Sequence, residues 1–392
     1  MSSSPPLAAK APENDAQGSQ TTTSSSVFPQ DSIAQSGPSM GMDTHCMTDR
    51  PSRSSQSPTG ELTKFHNDID VYISKPPDYP HSPSKLLLLL TPGTGVKSIN
   101  NQLQADRFAG EGFVVVMPDQ FGGDPAPNST APAAESGSSG AADTEALSLI
   151  EQVKLRAAET AKSFMIDMWL ARQTPEKVLP ILHKVLESAK DEFADAVANG
   201  GGVYAAGYCF GGKYVMMLAG GLADSESKGR DEEEGMVERE PLIKAGAIAH
   251  ATLATREDMS AIKAPVSIVC VGKFKQYHPF LRYMICVYEN KKGLTAAIGH
   301  QPENDQLFPD EILEEGSKHL RENKVEHEIQ TYPGVPHGQS RFVSFSSSRG
   351  QFSNCCYWSS TGFAVVGEYA DPKIKEAQTA AFDQMLHWLK TH

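Results

Sequence analysis

Gly207-Tyr208-Cys209-Phe210-Gly211-Gly212 lies between an apolar run, Val203–Ala206, and a helical pattern, Lys213–Ala219. Strand, tight turn and helix form the setting in which a G-x-C-x-G stretch presents a nucleophile. Gly207 and Gly211 let backbones approach closely at so crowded a bend. Cys209 then projects above the sheet with its backbone at a helix N-terminus, where a thiolate is stabilised. The N–H of Phe210 can donate to an oxyanion there. A small buried cysteine beside a glycine turn would look the same in isolation, so the rest of the chain has to decide.

Working outward, Leu86–Leu90 and Phe113–Met117 are continuous apolar runs of the kind shown by parallel strands covered on both faces. Ala245–Ala249, Val266–Val271 and Val325–Tyr332 read as further strands, and Asp70–Ile73 as a short opening strand ended by Lys75-Pro76-Pro77. Helical patterns cover Asn101–Gly110, Glu145–Trp169, Pro175–Ala198, Asp310–Lys324 and Pro372–Thr391. Residues 129–143 and 224–240 read as loops. This alternation predicts an α/β fold, a mostly parallel, doubly wound sheet with helices on both faces.

Two more chemical residues fall after strands, where doubly wound sheets place their sites. Asp305 lies in Glu303-Asn304-Asp305-Gln306-Leu307-Phe308-Pro309, downstream of Val266–Val271. His337 lies in Tyr332-Pro333-Gly334-Val335-Pro336-His337-Gly338, at the end of Val325–Tyr332. The roles expected are direct: His337 takes the thiol proton, Cys209 attacks a carbonyl carbon, and Asp305 holds the imidazole tautomer. Glu303 and Asp310 compete with Asp305 for the acid position.

The chain has 392 residues and a net charge of −13, which argues against nucleic acid or an anionic membrane as the main partner. Six cysteines without CxxC or CxxH spacing argue against a disulfide scaffold or a zinc site. Apolar runs such as Leu86–Leu90 are too short to span a bilayer, and the N-terminal sequence lacks a secretory pattern. The cytoplasm is the expected location. The first 60 residues hold 14 Ser and 7 Pro, so residues 1–43 are expected to be a disordered tail and 44–392 the domain.

Two stretches interrupt the pattern. Residues 273–299 carry a net charge of +4, and residues 339–362 hold eight Ser, two Arg and the pair Cys355-Cys356. Neither shows a clean helix or strand period. Removing them rejoins Gly272 to His300 and Gly338 to Phe363. Each follows a Gly and ends in Gly, which suits retained introns: Gly-Lys-Phe, for example, can encode GGTAAGTT. The reading is that both are untranslated in the mature protein, the alternative being two lineage-specific loops.

The stretches Gly112–Pro125, GYCFGG, ENDQLFP and PGVPHG together resemble the dienelactone hydrolase family of α/β-hydrolases, most closely its fungal cytosolic members. The resemblance covers about residues 60–392 outside the two odd stretches. It implies the α/β-hydrolase fold and a Cys209–Asp305–His337 triad. It further implies an oxyanion hole from the backbone N–H of Phe210 and of a residue such as Gly93, and hydrolysis of an ester or lactone without a cofactor. The expectation is cleavage of a small ester, lactone or thioester through an acyl-Cys209 intermediate, with no metal. Bacterial family members carry a Glu in the loop after the first core strand and an Arg shortly after the His. This chain has Thr91-Pro92-Gly93-Thr94-Gly95 in the first place and, with the odd stretch removed, a position near Val365 in the second. The fold and triad are therefore expected to carry over, and the substrate is not.

Pro92–Ser98 imitates a phosphate loop but has Val96 and Thr91 where that motif needs Gly. His250, at a strand end, reads as a satisfied histidine or a pocket wall. Two rival functions remain open at this point: a non-catalytic binding protein on the same fold, and a redox protein using Cys209 as a reactive thiol.

Overall fold

The computed structural model describes residues 56–127, 164–221, 240–272, 285–290, 293–298, 308–333, 335, 363–367, 369 and 371–392. The expected tail, the loops 129–143 and 224–239, most of both odd stretches, and the start of the helix expected over Glu145–Trp169 lie outside them.

Ten strands occur among the described residues. They are β1 (Glu61–Phe65), β2 (Ile69–Ser74), β3 (Lys85–Leu90), β4 (Phe113–Pro118), β5 (Val203–Tyr208), β6 (Ala245–Ala249), β7 (Val266–Gly272), β8 (Ile285–Asn290), β9 (Gly293–Ile298) and β10 (His327–Pro333). The helices are α1 (Ile99–Gly110), α2 (164–172), α3 (Pro175–Glu192), α4 (Ala194–Gly200), α5 (Phe210–Gly220), α6 (Arg256–Ser260), α7 (Asp310–Glu322) and α8 (Pro372–Thr391).

Eight strands form one sheet in the order β1-β2-β4-β3-β5-β6-β7-β10, parallel from β4 onward, with β1 and β2 joined antiparallel at one edge. This is the α/β-hydrolase fold, as expected. Alternation along β3 shows why the strands read as unbroken apolar runs. Leu86, Leu88 and Leu90 enter one apolar layer with α3 and α5, while Leu87 and Leu89 enter the other with α1 and α8. Each of the five is at most 1% exposed, and burying each contributes roughly 1.5–3 kcal/mol.

The chain runs from β3 to β4 on one side and places β5 on the other. The strand order therefore reverses at β3, and the crevice beyond the C-terminal ends of β3 and β5 is the switch point where such sheets bind ligands.

Three local expectations need correction. The strand β1 went unread because an edge strand paired on one side needs little apolar surface; of Glu61–Phe65 only Phe65 is buried. The helix expected over Pro175–Ala198 is two helices, broken at Phe193 with φ −119°. The stretch 273–299, whose sequence shows no clean helix or strand period, contains the antiparallel hairpin β8–β9, with Asn290 opposite Gly293. Ile285-Cys286-Val287-Tyr288 has the β-branched and aromatic content that such pairing favours.

Candidate active site

Cys209 sits between β5 and α5 with φ 53° and ψ −115°, a backbone state that is costly for a residue with a Cβ. The surroundings impose it. A Cβ on Gly211 would lie 2.4 Å from the Leu90 carbonyl oxygen, and one on Gly207 would lie 2.6 Å from the Gly211 carbonyl oxygen. Helix and strands therefore close on the turn only because both residues are glycine. Hydrogen bonds then lock it: Cys209 N–H donates to the Ala249 carbonyl (3.0 Å), and Gly212 N–H donates to the Cys209 carbonyl (3.0 Å).

The side chain of Cys209 is fully buried, and its Sγ lies 3.1 Å from Thr252 Oγ1. Phe210 is the first residue of α5, so its N–H has no carbonyl within the helix to bond. Its ring packs against Phe121 (centroids 5.2 Å), Trp169 (5.5 Å) and Tyr214 (5.1 Å), an aromatic wall at the start of α5. Asp124 fixes that wall: its backbone carbonyl accepts from Trp169 Nε1 (2.8 Å), and its carboxylate accepts from Arg172 and Gln173.

The loop after β3 is brought to the same place. Gly211 N–H donates to the Thr91 carbonyl (3.1 Å), and Ala126 N–H donates to the Gly93 carbonyl (2.9 Å). Gln120 clamps Thr91 from both sides, with Oε1 accepting from the Thr91 N–H and Nε2 donating to its carbonyl, each at 3.1 Å. The Cys209 turn and the loop after β3 are thus tied together through Gly211 and Thr91. Asp305 and His337 lie outside the described residues.

His250, directly after β6, is fully buried at φ 37° and donates its backbone N–H to Val269 (2.8 Å). Its ring stands 6.1 Å from those of Tyr208 and Phe363. Val335 and Phe363–Val365 are all buried in one apolar layer, so the chain is in the core shortly before and directly after the second odd stretch. Gln104 ties this end down, donating to the Tyr208 hydroxyl (3.0 Å) and accepting from Val366 N–H (3.2 Å). Burial holds the Tyr208 phenol neutral well above its ordinary range. Sequence reasoning missed the role of Gln120, though it lies within the stretch Gly112–Pro125, and missed Thr252, which lies in no motif.

Among the described residues no group of three or more His, Cys, Asp or Glu is placed to hold a metal, and no helix is long and apolar enough to cross a membrane.

The sequence model described as "Dienelactone hydrolase family" matches residues 69–227, the stretch from β2 through α5 that builds the Cys209 turn. In that part the chain is similar to the dienelactone hydrolase family. The chain is 28% identical over 294 residues to Hydrolase pyvD of Aspergillus violaceofuscus, covering 75% of this chain and 84% of that protein. It is 24% identical over 349 residues to Hydrolase tropI of Talaromyces stipitatus, covering 87% and 93%. A putative dienelactone hydrolase from Klebsiella pneumoniae superposes with a TM-score of 0.50 at 13% identity, over 85% of this chain and 99% of that one, a likeness of fold alone.

Proposed function

We propose that this chain is a carboxylic ester hydrolase that cleaves a small ester, lactone or thioester through an acyl-Cys209 intermediate. The observation that carries the reading is the Cys209 turn: a non-glycine residue at positive φ, at the N-terminus of α5, after a strand beside the point where the strand order reverses. That is the nucleophile elbow of the fold.

The cycle balances without a cofactor. His337 takes the thiol proton and the thiolate attacks the carbonyl carbon. The oxyanion is held by the N–H groups of Phe210 and Gly93, whose loop and turn are tied together through Gly211 and Thr91. The C–O bond breaks, and the alkoxide, which stays tethered when the substrate is a lactone, takes the proton from the imidazolium. Water, giving its proton to His337, then cleaves the thioester and restores Cys209. Asp305 holds the imidazole tautomer throughout.

The strand geometry supports the assignment of His337. Pro333 stands opposite Gly272 at the end of β10, three strand spacings, about 14 Å, from β5. Four Cα-to-Cα steps lead from it to His337 and extend at most about 14 Å. Val335, midway, is buried against the sheet.

A chromogenic short-chain ester tests this. Wild type is expected to give a burst followed by steady turnover, with Cys209→Ala and His337→Ala each slower by roughly a thousandfold or more. Equal turnover in all three would overturn the reading in favour of a binding protein. Stoichiometric thiol oxidation without ester turnover would leave Cys209 as a redox group.

A further inference from the structure

We propose that Thr252 is a positioning residue for Cys209, its hydroxyl aiming the sulfur and favouring its charged form. This rests on the reading of Cys209 as nucleophile. Thr252 reaches Cys209 twice: its backbone N–H donates to the Cys209 carbonyl at 3.1 Å, and its Oγ1 lies 3.1 Å from Sγ. Both side chains are fully buried.

The turn that presents Thr252 is itself built for the purpose. Its neighbours His250 and Leu253 stand at φ 37° and 59°, costly for residues other than glycine. The middle of the turn is wedged against α5, since a Cβ on Gly212 would lie 3.1 Å from Ala251 Cα. Immediately after it, Thr255 and Asp258 form a capping box that starts α6, and Asp258 also faces Lys213 of α5 at 3.6 Å. The turn is thereby pinned to the helix whose N-terminus carries Cys209.

A hydroxyl can serve both states of the sulfur. Opposite a thiol it accepts the S–H; opposite a thiolate it rotates and donates its O–H. A hydrogen bond to an ionised partner is roughly twice as strong as a neutral one, so the balance favours the thiolate. The Thr252 O–H bond stays intact throughout. The proton leaving sulfur goes to His337 and later to the leaving alkoxide.

The test compares wild type with Thr252→Val, Thr252→Ala and Thr252→Ser. It reads the pH dependence of Cys209 alkylation by iodoacetamide together with ester kinetics. Removing the hydroxyl is expected to move the alkylation midpoint upward in pH. It should also slow alkylation and kcat at neutral pH about tenfold, with KM little changed, and Thr252→Ser should restore both. Wild-type profiles in the Val and Ala variants would overturn the proposal, as would a Ser variant as impaired as Val. Full ester turnover by Cys209→Ala would instead sink the nucleophile reading, while the alkylation profiles would still report on the hold of Thr252 on the sulfur.

Discussion

The turns after β5 and β6 do related work by opposite means. The first carries Cys209 at φ 53° between two glycines whose missing Cβ atoms leave room for Leu90 and for the turn's own backbone. The second carries His250 and Leu253 at φ 37° and 59° with no glycine at all, and presents Thr252. Where two backbones must touch, only glycine fits, and the requirement is written into the residue types. Where the backbone merely bends, hydrogen bonds and packing from neighbouring elements supply the restraint, and the residue types leave no trace.

That contrast can be broken at its strongest point by Gly211→Ala. The added Cβ meets backbone at 2.4 Å, which has no side-chain escape, so a loss of about 3 kcal/mol or more is expected in denaturant unfolding. Tyr208→Phe probes the strand end beside Cys209 and should cost about 1 kcal/mol at neutral pH, where Gln104 loses its hydroxyl partner. The same variant sharpens the pH dependence. Burial raises the Tyr208 phenol above its ordinary range near 10. The fold therefore favours the neutral form, and its contribution is complete below about pH 10 and lost as the pH climbs beyond it. Alkaline unfolding curves should be flatter in Tyr208→Phe than in wild type. Leu253→Gly should change stability least, by under about 1 kcal/mol. Relief of a left-handed residue is offset by the loss of a partly buried side chain; a loss as large as that of Gly211→Ala would erase the contrast between the turns.

The same physics explains what the sequence disclosed. The leucines of β3 and the valines of β4 could be read because both faces of the sheet are covered, leaving no polar position to confuse the pattern. The start of α5 was read three residues late, at Lys213 instead of Phe210, because Gly211 and Gly212 look like helix breakers. Their close packing against Leu90 and Ala251 overrides that weak preference. The edge strand β1, with only Phe65 buried, lacks a two-faced apolar environment and so lacked the signal. The Cys209 turn was legible because Gly207 and Gly211 mark its close backbone contacts. Thr252 and Gln120 were not, since a side chain that reaches across the fold to one sulfur or one peptide group has no local spacing to betray it.

The most direct measurement is the mass of the protein quenched within milliseconds of mixing with an activated ester, followed by mapping of the adduct to a peptide. The account predicts one acyl group on the peptide containing Cys209, decaying as product forms and absent in Cys209→Ala. An acyl group on any other residue that forms and decays at the rate of turnover would contradict it.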